Sequence, residues 1–207
     1  ITDVLTDEAI QFIKQNKDRP FFCYVPYNAP HSPWIVPEKY WDKYADKGLD
    51  DKTRCAYAMV ECVDDNLGRL MQTLDDLNLS ENTIVLFLTD NGPNGKRYNG
   101  DMRGQKGSIH EGGIRVPLFV RYPGKIKPGT VVKPITAHID ILPTLLEFCG
   151  VESTSGNPVD GKSLVPLLTQ ESTENWPQRM LFTDRLFNTS IPAAELPTGS
   201  VRTDRWR

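Results

Sequence analysis

Apolar residues recur at spacings of three and four from Ala56 to Leu77, through Met59, Val60, Val63, Leu67, Leu70, Met71 and Leu74. That spacing draws one apolar stripe along a long α-helix laid against a sheet. Glu61, Asp64, Asp65, Asp75 and Asp76 fall largely on the wet side. Asn78 suits the left-handed position beyond a helix end, and Ser80-Glu81-Asn82 turns the chain into the next element. This is Thr83 to Thr89 (TIVLFLT), an apolar, β-branched run that predicts a strand buried on both faces of a parallel sheet. Phe21 to Tyr27 and Pro117 to Tyr122 read as further buried strands. Upstream, Thr6 is placed to cap a helix with Ala9, Ile10 and Ile13 on its apolar face, ended by Asp18-Arg19-Pro20. Pro37-Glu38-Lys39 opens a short helical turn, and Trp34, Tyr40 and Trp41 beside it either pack inward or line a mouth.

Later segments alternate in the same way. Lys125 to Lys133 reads as a solvent-facing hairpin or crossover. Ile139 to Phe148 predicts a short amphipathic helix with Pro143 in its first turn and Gly150 past its end. Asp160 to Leu164 begins one more helical turn, and Met180 to Asp184 and Ser200 to Trp206 read as strands of a smaller antiparallel lobe. The fold class is therefore α/β: part of a mixed, largely parallel sheet sandwiched by helices over residues 1–168, with the start of a small C-terminal subdomain over 169–207. Both ends read as interior to a longer protein.

With 207 residues, 39% hydrophobic and 25% charged, the chain has the composition of a globular protein and enough length for one sizeable core. Its net charge of −3 gives no electrostatic case for nucleic acid. No apolar run reaches the length of a membrane span, and ITDVLTDEAI has no signal-peptide pattern. Cys23, Cys55, Cys62 and Cys149 lack metal-site spacing and read as buried free thiols. Cys55 and Cys62, on one helix, stand roughly 10 Å apart along its axis, too far for a disulfide.

The candidate chemistry gathers after the TIVLFLT strand. Asp90, Asn91 and Gly92 follow it directly, at the strand's carboxyl end, where open α/β sheets bind ligands. D-N-G at that point reads as a turn, or as two hard oxygen donors for Ca²⁺ or Mg²⁺. Residues Arg103 to Arg115 combine four glycines with Arg103, Lys106, His110 and Arg115. Sharply turning backbone with cationic side chains suits an oxyanion such as sulfate or phosphate. Asn28-Ala29-Pro30-His31-Ser32-Pro33 leaves the Phe21–Tyr27 strand at its carboxyl end, so His31 belongs to the same kind of rim as Asp90. Asp64 and Asp65 diverge by about 100° on their helix and do not form a catalytic pair. His138-Ile139-Asp140 is either structural or a second metal site.

TDNGP followed by RGQKGSIHEGGIRVP resembles the second half of a sulfatase, within the alkaline-phosphatase-like superfamily. The resemblance extends upstream to YNAPHSP and YAMVECVDDNLGRLMQTLDDL and downstream to HIDILPTLLEFCGV and DGKSLVPLL, covering most of the chain. It implies a sulfuric ester hydrolase in which formylglycine, made from a cysteine in a C-x-P-S-R type motif, attacks sulfur. This chain has no such motif, and Cys23 lacks its context. The resemblance makes Asp90 and Asn91 metal ligands for Ca²⁺, with Mg²⁺ as the alternative. Lys106 becomes a sulfate-binding catalytic cation, and His31 a sulfate contact and proton donor to the leaving oxygen. Arg103 is a further substrate contact; His110, where the family more often has an aromatic residue, is a candidate contact whose role stays open, and a structural role is preferred for His138-Ile139-Asp140. A sulfate ester of a glycan, aryl alcohol or lipid is the implied partner. A periplasmic, secreted or lysosomal-type compartment is the implied location; oligomeric state stays open. One alternative is a metal-dependent phosphatase or phosphotransferase of the same superfamily, which would favour Asp-His for zinc after the central strand. The other is a non-catalytic binding fragment, since two ligands do not complete a calcium shell of six to eight oxygens. Without its nucleophile the isolated chain is expected to be inactive.

Overall fold

The computed structural model describes residues 1–152, 156–170, 176–184 and 199–206. Parts of the expected C-terminal lobe, 171–175 and 185–198, lie outside the described residues. The chain divides into two compact units, Ile1–Thr83 and Ile84–Arg207.

The first unit is helical. α1 (Thr2–Asn16) and α3 (Asp51–Asp76) pack together, and α2 (Glu38–Trp41) lies against α3. The apolar stripe of α3 faces inward at Cys55, Ala56, Ala58, Met59, Cys62, Val63 and Leu74. Val60, expected on that stripe, is 50% exposed, because a period of 3.6 carries it to the flank. α3 starts before its first apolar residue, where the Asp50 side chain accepts a hydrogen bond from Thr53 N at 3.0 Å. It ends as expected, with Asn78 left-handed at φ 55°. α1 begins at Thr2, so Thr6 is no cap. Its hydroxyl is buried, donating to Thr2 O at 3.0 Å and sharing a 2.7 Å hydrogen bond with the Tyr27 hydroxyl. Tyr40 is a core residue, packed with Ala58 and Cys62, which removes it from any mouth. Trp34 and Trp41 are partly exposed, with Lys52 over the first ring at 4.2 Å and Arg54 over the second at 4.0 Å. Cys55 and Cys62 are buried free thiols as expected, whereas Cys149 is exposed.

Phe21–Tyr27 is not a buried strand within this unit. The segment alternates partly buried and exposed positions, with Phe22 76% and Tyr24 77% exposed, yet it joins no ladder. Its period of two is that of a strand, and what is missing is a partner among the described residues.

In the second unit, β1 (Val85–Leu88) pairs antiparallel with β2 (Leu118–Arg121), Val85 opposite Arg121 and Leu88 opposite Leu118. This corrects the parallel pairing expected for β1, whose residues are all only partly buried. Leu118 and Val120 pack on a core of Ile126, Leu164, Leu167 and Leu168, leaving Phe119 on the other face 64% exposed. Ile126 makes Lys125–Lys133 part of the core rather than a wholly solvent-facing crossover. A 3-10 turn at His138–Asp140 leads into α5 (Ile141–Cys149), closed by left-handed Gly150. α6 (Val165–Leu168) follows. β3 (Leu181–Asp184) and β4 (Gly199–Arg202) form the expected antiparallel pair, although 203–206 is not strand.

Asp140 ties this unit together. Its carboxylate is fully buried and accepts from Ala137 N, Lys162 N and Arg179 Nη1, the last at 2.9 and 2.8 Å. These donors explain the HID triplet structurally. Asp140→Ala strands a nearly buried guanidinium and is expected to cost about 3–5 kcal/mol, measured by urea unfolding. A loss within the range of surface substitutions would show that Arg179 finds another partner.

Candidate functional site

The site is built where β1 ends. Past Leu88 the chain runs through Thr89 to exposed Asp90, partly buried Asn91 and buried Gly92. Asp90 Oδ1 accepts from Asn91 N at 2.8 Å and from Asn91 Nδ2 at 2.9 Å. The turn and the donor pair are thus one feature: the turn bonds hold both side chains on the same side, and Asp90 Oδ2 and Asn91 Oδ1 are the remaining oxygens.

The glycine-rich loop is folded back onto that turn. Gly92 N donates to Gly113 O at 2.9 Å, and Lys106 N to Pro93 O at 2.9 Å. Inside the loop, Gly112 N donates to Arg103 O at 2.8 Å, and Asn99 Nδ2 donates to Met102 O and Gly104 O at 2.8 and 3.0 Å. Glycine is required for packing at two of these points. A Cβ on Gly92 would lie 1.9 Å from Gly112 O, and one on Gly112 would lie 2.2 Å from Gly104 O. Gly104 itself has φ 90°, which disfavours any side chain.

Lys106 is therefore fixed, through its own backbone, beside the segment carrying Asp90 and Asn91. Among the described residues neither Lys106 nor Arg103 is engaged in an ion pair, so their charges are not spent on a carboxylate. Arg103 is exposed and Lys106 partly buried. His110 stands at the start of α4 (Glu111–Ile114), with its N–H bonded to Ser108 Oγ at 3.1 Å. Arg115 bonds Glu111, which also receives Arg202 Nε at 3.1 Å, so β4 buttresses the loop.

In the first unit His31 is exposed. Its backbone N–H donates to Asn28 O at 2.8 Å, and Nδ1 lies 3.0 Å from Ser32 O. A carbonyl accepts only, so this contact suits a hydrogen on Nδ1, with Ser32 Oγ also 3.3 Å from that nitrogen, and neither contact engages Nε2. Burial raises the Cys23 thiol, which argues against a thiolate nucleophile there.

The donor set after β1 suits a hard divalent cation, because a carboxylate and an amide oxygen are its preferred ligand types. Two donors make only part of a shell, and among the described residues no group of three or more His, Cys, Asp or Glu side chains comes together. Asn99 was not legible as a site residue: Y-N-G-D signals a turn, and the two carbonyls it bridges are fixed only by the folded loop.

An α/β domain of the alkaline-phosphatase-like class accounts for this arrangement of strand end and glycine loop. Residues 1–151 match the sulfatase family and residues 104–207 match the C-terminal part of N-sulphoglucosamine sulphohydrolase. The chain belongs to the sulfatase family. A sulfatase of Formosa agariphila is 39% identical over 189 residues, covering 83% of this chain and 34% of the relative. Mouse steryl-sulfatase is 36% identical over 180 residues, covering 81% of this chain and 27% of the relative. The solved structure of Ps i-CgsB in complex with k-i-k-neocarrahexaose superposes with a TM-score of 0.82 at 29% identity, covering 90% of this chain and 42% of that one. The chain thus spans about a quarter to a third of the length of these curated relatives. Among the described residues no helix is long and apolar enough to cross a membrane.

Proposed function

We propose that this chain is the carboxyl-terminal part of a sulfuric ester hydrolase and supplies the cation ligands Asp90 and Asn91 and the sulfate-binding Lys106. The observation that supports this most is the pair of backbone bonds, Gly92 to Gly113 and Lys106 to Pro93, that hold the loop carrying Lys106 against the segment carrying the two hard oxygen donors. The substrate is a sulfate ester, and a carbohydrate ester is favoured by the likeness to a protein solved with a neocarrahexaose. The nucleophile is a formylglycine on polypeptide outside these 207 residues, as the family resemblance implies.

Asp90 and Asn91 hold Ca²⁺, or Mg²⁺, which when bound neutralises charge on the sulfate oxygens. Lys106 adds a fixed positive charge for the same oxygens, and Arg103 and His110 are its candidate auxiliaries. Preorganised charge of this kind favours the transition state, in which the equatorial oxygens carry more negative charge as the S–O bond to the alcohol breaks. His31 protonates the departing oxygen from Nε2. Its role rests on the PHSP resemblance and on the Nδ1 to Ser32 bond that leaves Nε2 available.

The test is a peptide map of the full-length protein as made in its own cell. A peptide containing a C-x-P-S-R type motif with its cysteine converted to formylglycine is expected. A phosphorylatable Ser or Thr at the nucleophile position, with bound zinc, would replace this reading by a phosphatase of the same superfamily.

A further inference from the structure

His138 has no part in the proposed chemistry, yet its imidazole reaches the base of the candidate cation pair. Nε2 lies 2.9 Å from the carbonyl oxygen of Thr89, 49 residues earlier. The oxygen is an acceptor, so Nε2 carries the hydrogen and donates it. The bond forms equally with the neutral Nε2–H tautomer and with imidazolium, so it needs no titration.

The place of this bond gives it meaning. The β1–β2 ladder ends at Leu88 opposite Leu118, and Thr89 is the first residue beyond it. Thr89 is partly buried, and its carbonyl, past the end of the ladder, takes its partner from the exposed His138 side chain. The next residue is Asp90, whose side chain is exposed and bonded, among the described residues, only to Asn91. Downstream, the Asp90 carboxylate braces Asn91 N and Gly113 O holds Gly92 N, so the Thr89 carbonyl is the point upstream of the pair that the ladder and these bonds leave to His138.

His138 comes from a rigid support. It opens the 3-10 turn whose last residue, Asp140, receives Ala137 N at 2.7 Å and Arg179 Nη1 at 2.8 Å. Gly161 packs so closely on that turn that a Cβ there would meet Ile139 O at 1.9 Å. The imidazole is therefore anchored at its own end, while the strand terminus it grips has left its ladder.

We propose that His138 is a positioning residue for the cation site: it pins the Thr89 carbonyl and thereby orients Asp90 and Asn91. The inference rests on the reading of that pair as cation ligands. Without the bond, residues 89–91 populate several backbone conformations, and cation affinity falls by the fraction that remains competent. Loss of an orienting hydrogen bond outside the ligands lowers metal affinity by about ten- to a hundredfold.

The experiment is calorimetric titration of the full-length protein with Ca²⁺ alone, for wild type, His138→Met, His138→Gln and Asp90→Ala, with Tm recorded for each. His138→Met fills the space without a donor and is expected to raise Kd about ten- to a hundredfold. His138→Gln restores an N–H at similar reach and is expected to recover most of the affinity. Asp90→Ala is expected to abolish binding. Unchanged Kd in His138→Met, with or without a lower Tm, overturns the positioning role while leaving the ligand pair intact. Equal weakening by Met and Gln also overturns it, since the donor would then be irrelevant. Wild-type binding by Asp90→Ala overturns the ligand reading and this inference with it.

Discussion

Asp90→Ala in the full-length protein is expected to lose divalent cation and sulfate-ester hydrolysis together, with activity down about a thousandfold or more. The magnitude follows from several kcal/mol of charge stabilisation by a bound cation, at 1.36 kcal/mol per factor of ten in rate. Asp64→Ala is the control. Asp64 is exposed on α3, and its neighbour Asp65 points about 100° away around the helix. It is expected to leave cation affinity and rate nearly unchanged. Calorimetry and initial rates on both variants decide the matter, and equal losses would mean that α3 contributes to the site.

Lys106→Ala is expected to slow every sulfate ester by about a hundred- to a thousandfold, the usual cost of removing one preorganised group from a charge-stabilising site. Its effect should not depend on the alcohol, because the ammonium acts on the sulfate oxygens. His31→Ala should behave differently. Protonation of the departing oxygen matters most for a poor leaving group, so an alkyl or sugar sulfate suffers much more than a nitrophenyl sulfate. The measurement is kcat/KM against leaving-group pKa for wild type and both variants. A wild-type slope in His31→Ala would leave His31 without a proton-donor role, and a steepened slope in Lys106→Ala would place Lys106 at the leaving group instead.

Local signals in the sequence translated well into structure. The 3.6-residue stripe located α3, Asn78 located its end, and the apolar run before Asp90 located β1. The run could not tell antiparallel from parallel pairing, since continuous hydrophobicity reports burial and not strand direction. Phe21–Tyr27 shows the reverse case, a strand-like alternation with no ladder among the described residues. Ile126 was hidden among lysines and a glycine, although one apolar residue in a polar segment suffices to dock it on Leu164 and Leu167. For the site, the family resemblance singled out Asp90, Asn91 and Lys106 as candidates. The bonds that brace them, from Asn99 to Gly104 and from His138 to Thr89, depend on loop closure and on a contact 49 residues apart. No window of sequence contains that information.

Asp90, Asn91 and Lys106 are proposed to serve sulfate-ester cleavage. The most direct test of that role is the ratio of kcat/KM for nitrophenyl sulfate to that for nitrophenyl phosphate, measured on full-length wild type, Asp90→Ala and Lys106→Ala. A strong preference for the sulfate ester is expected in wild type, with loss of its hydrolysis in both variants. Preference for the phosphate ester, or sulfate hydrolysis that survives both substitutions, would contradict that role.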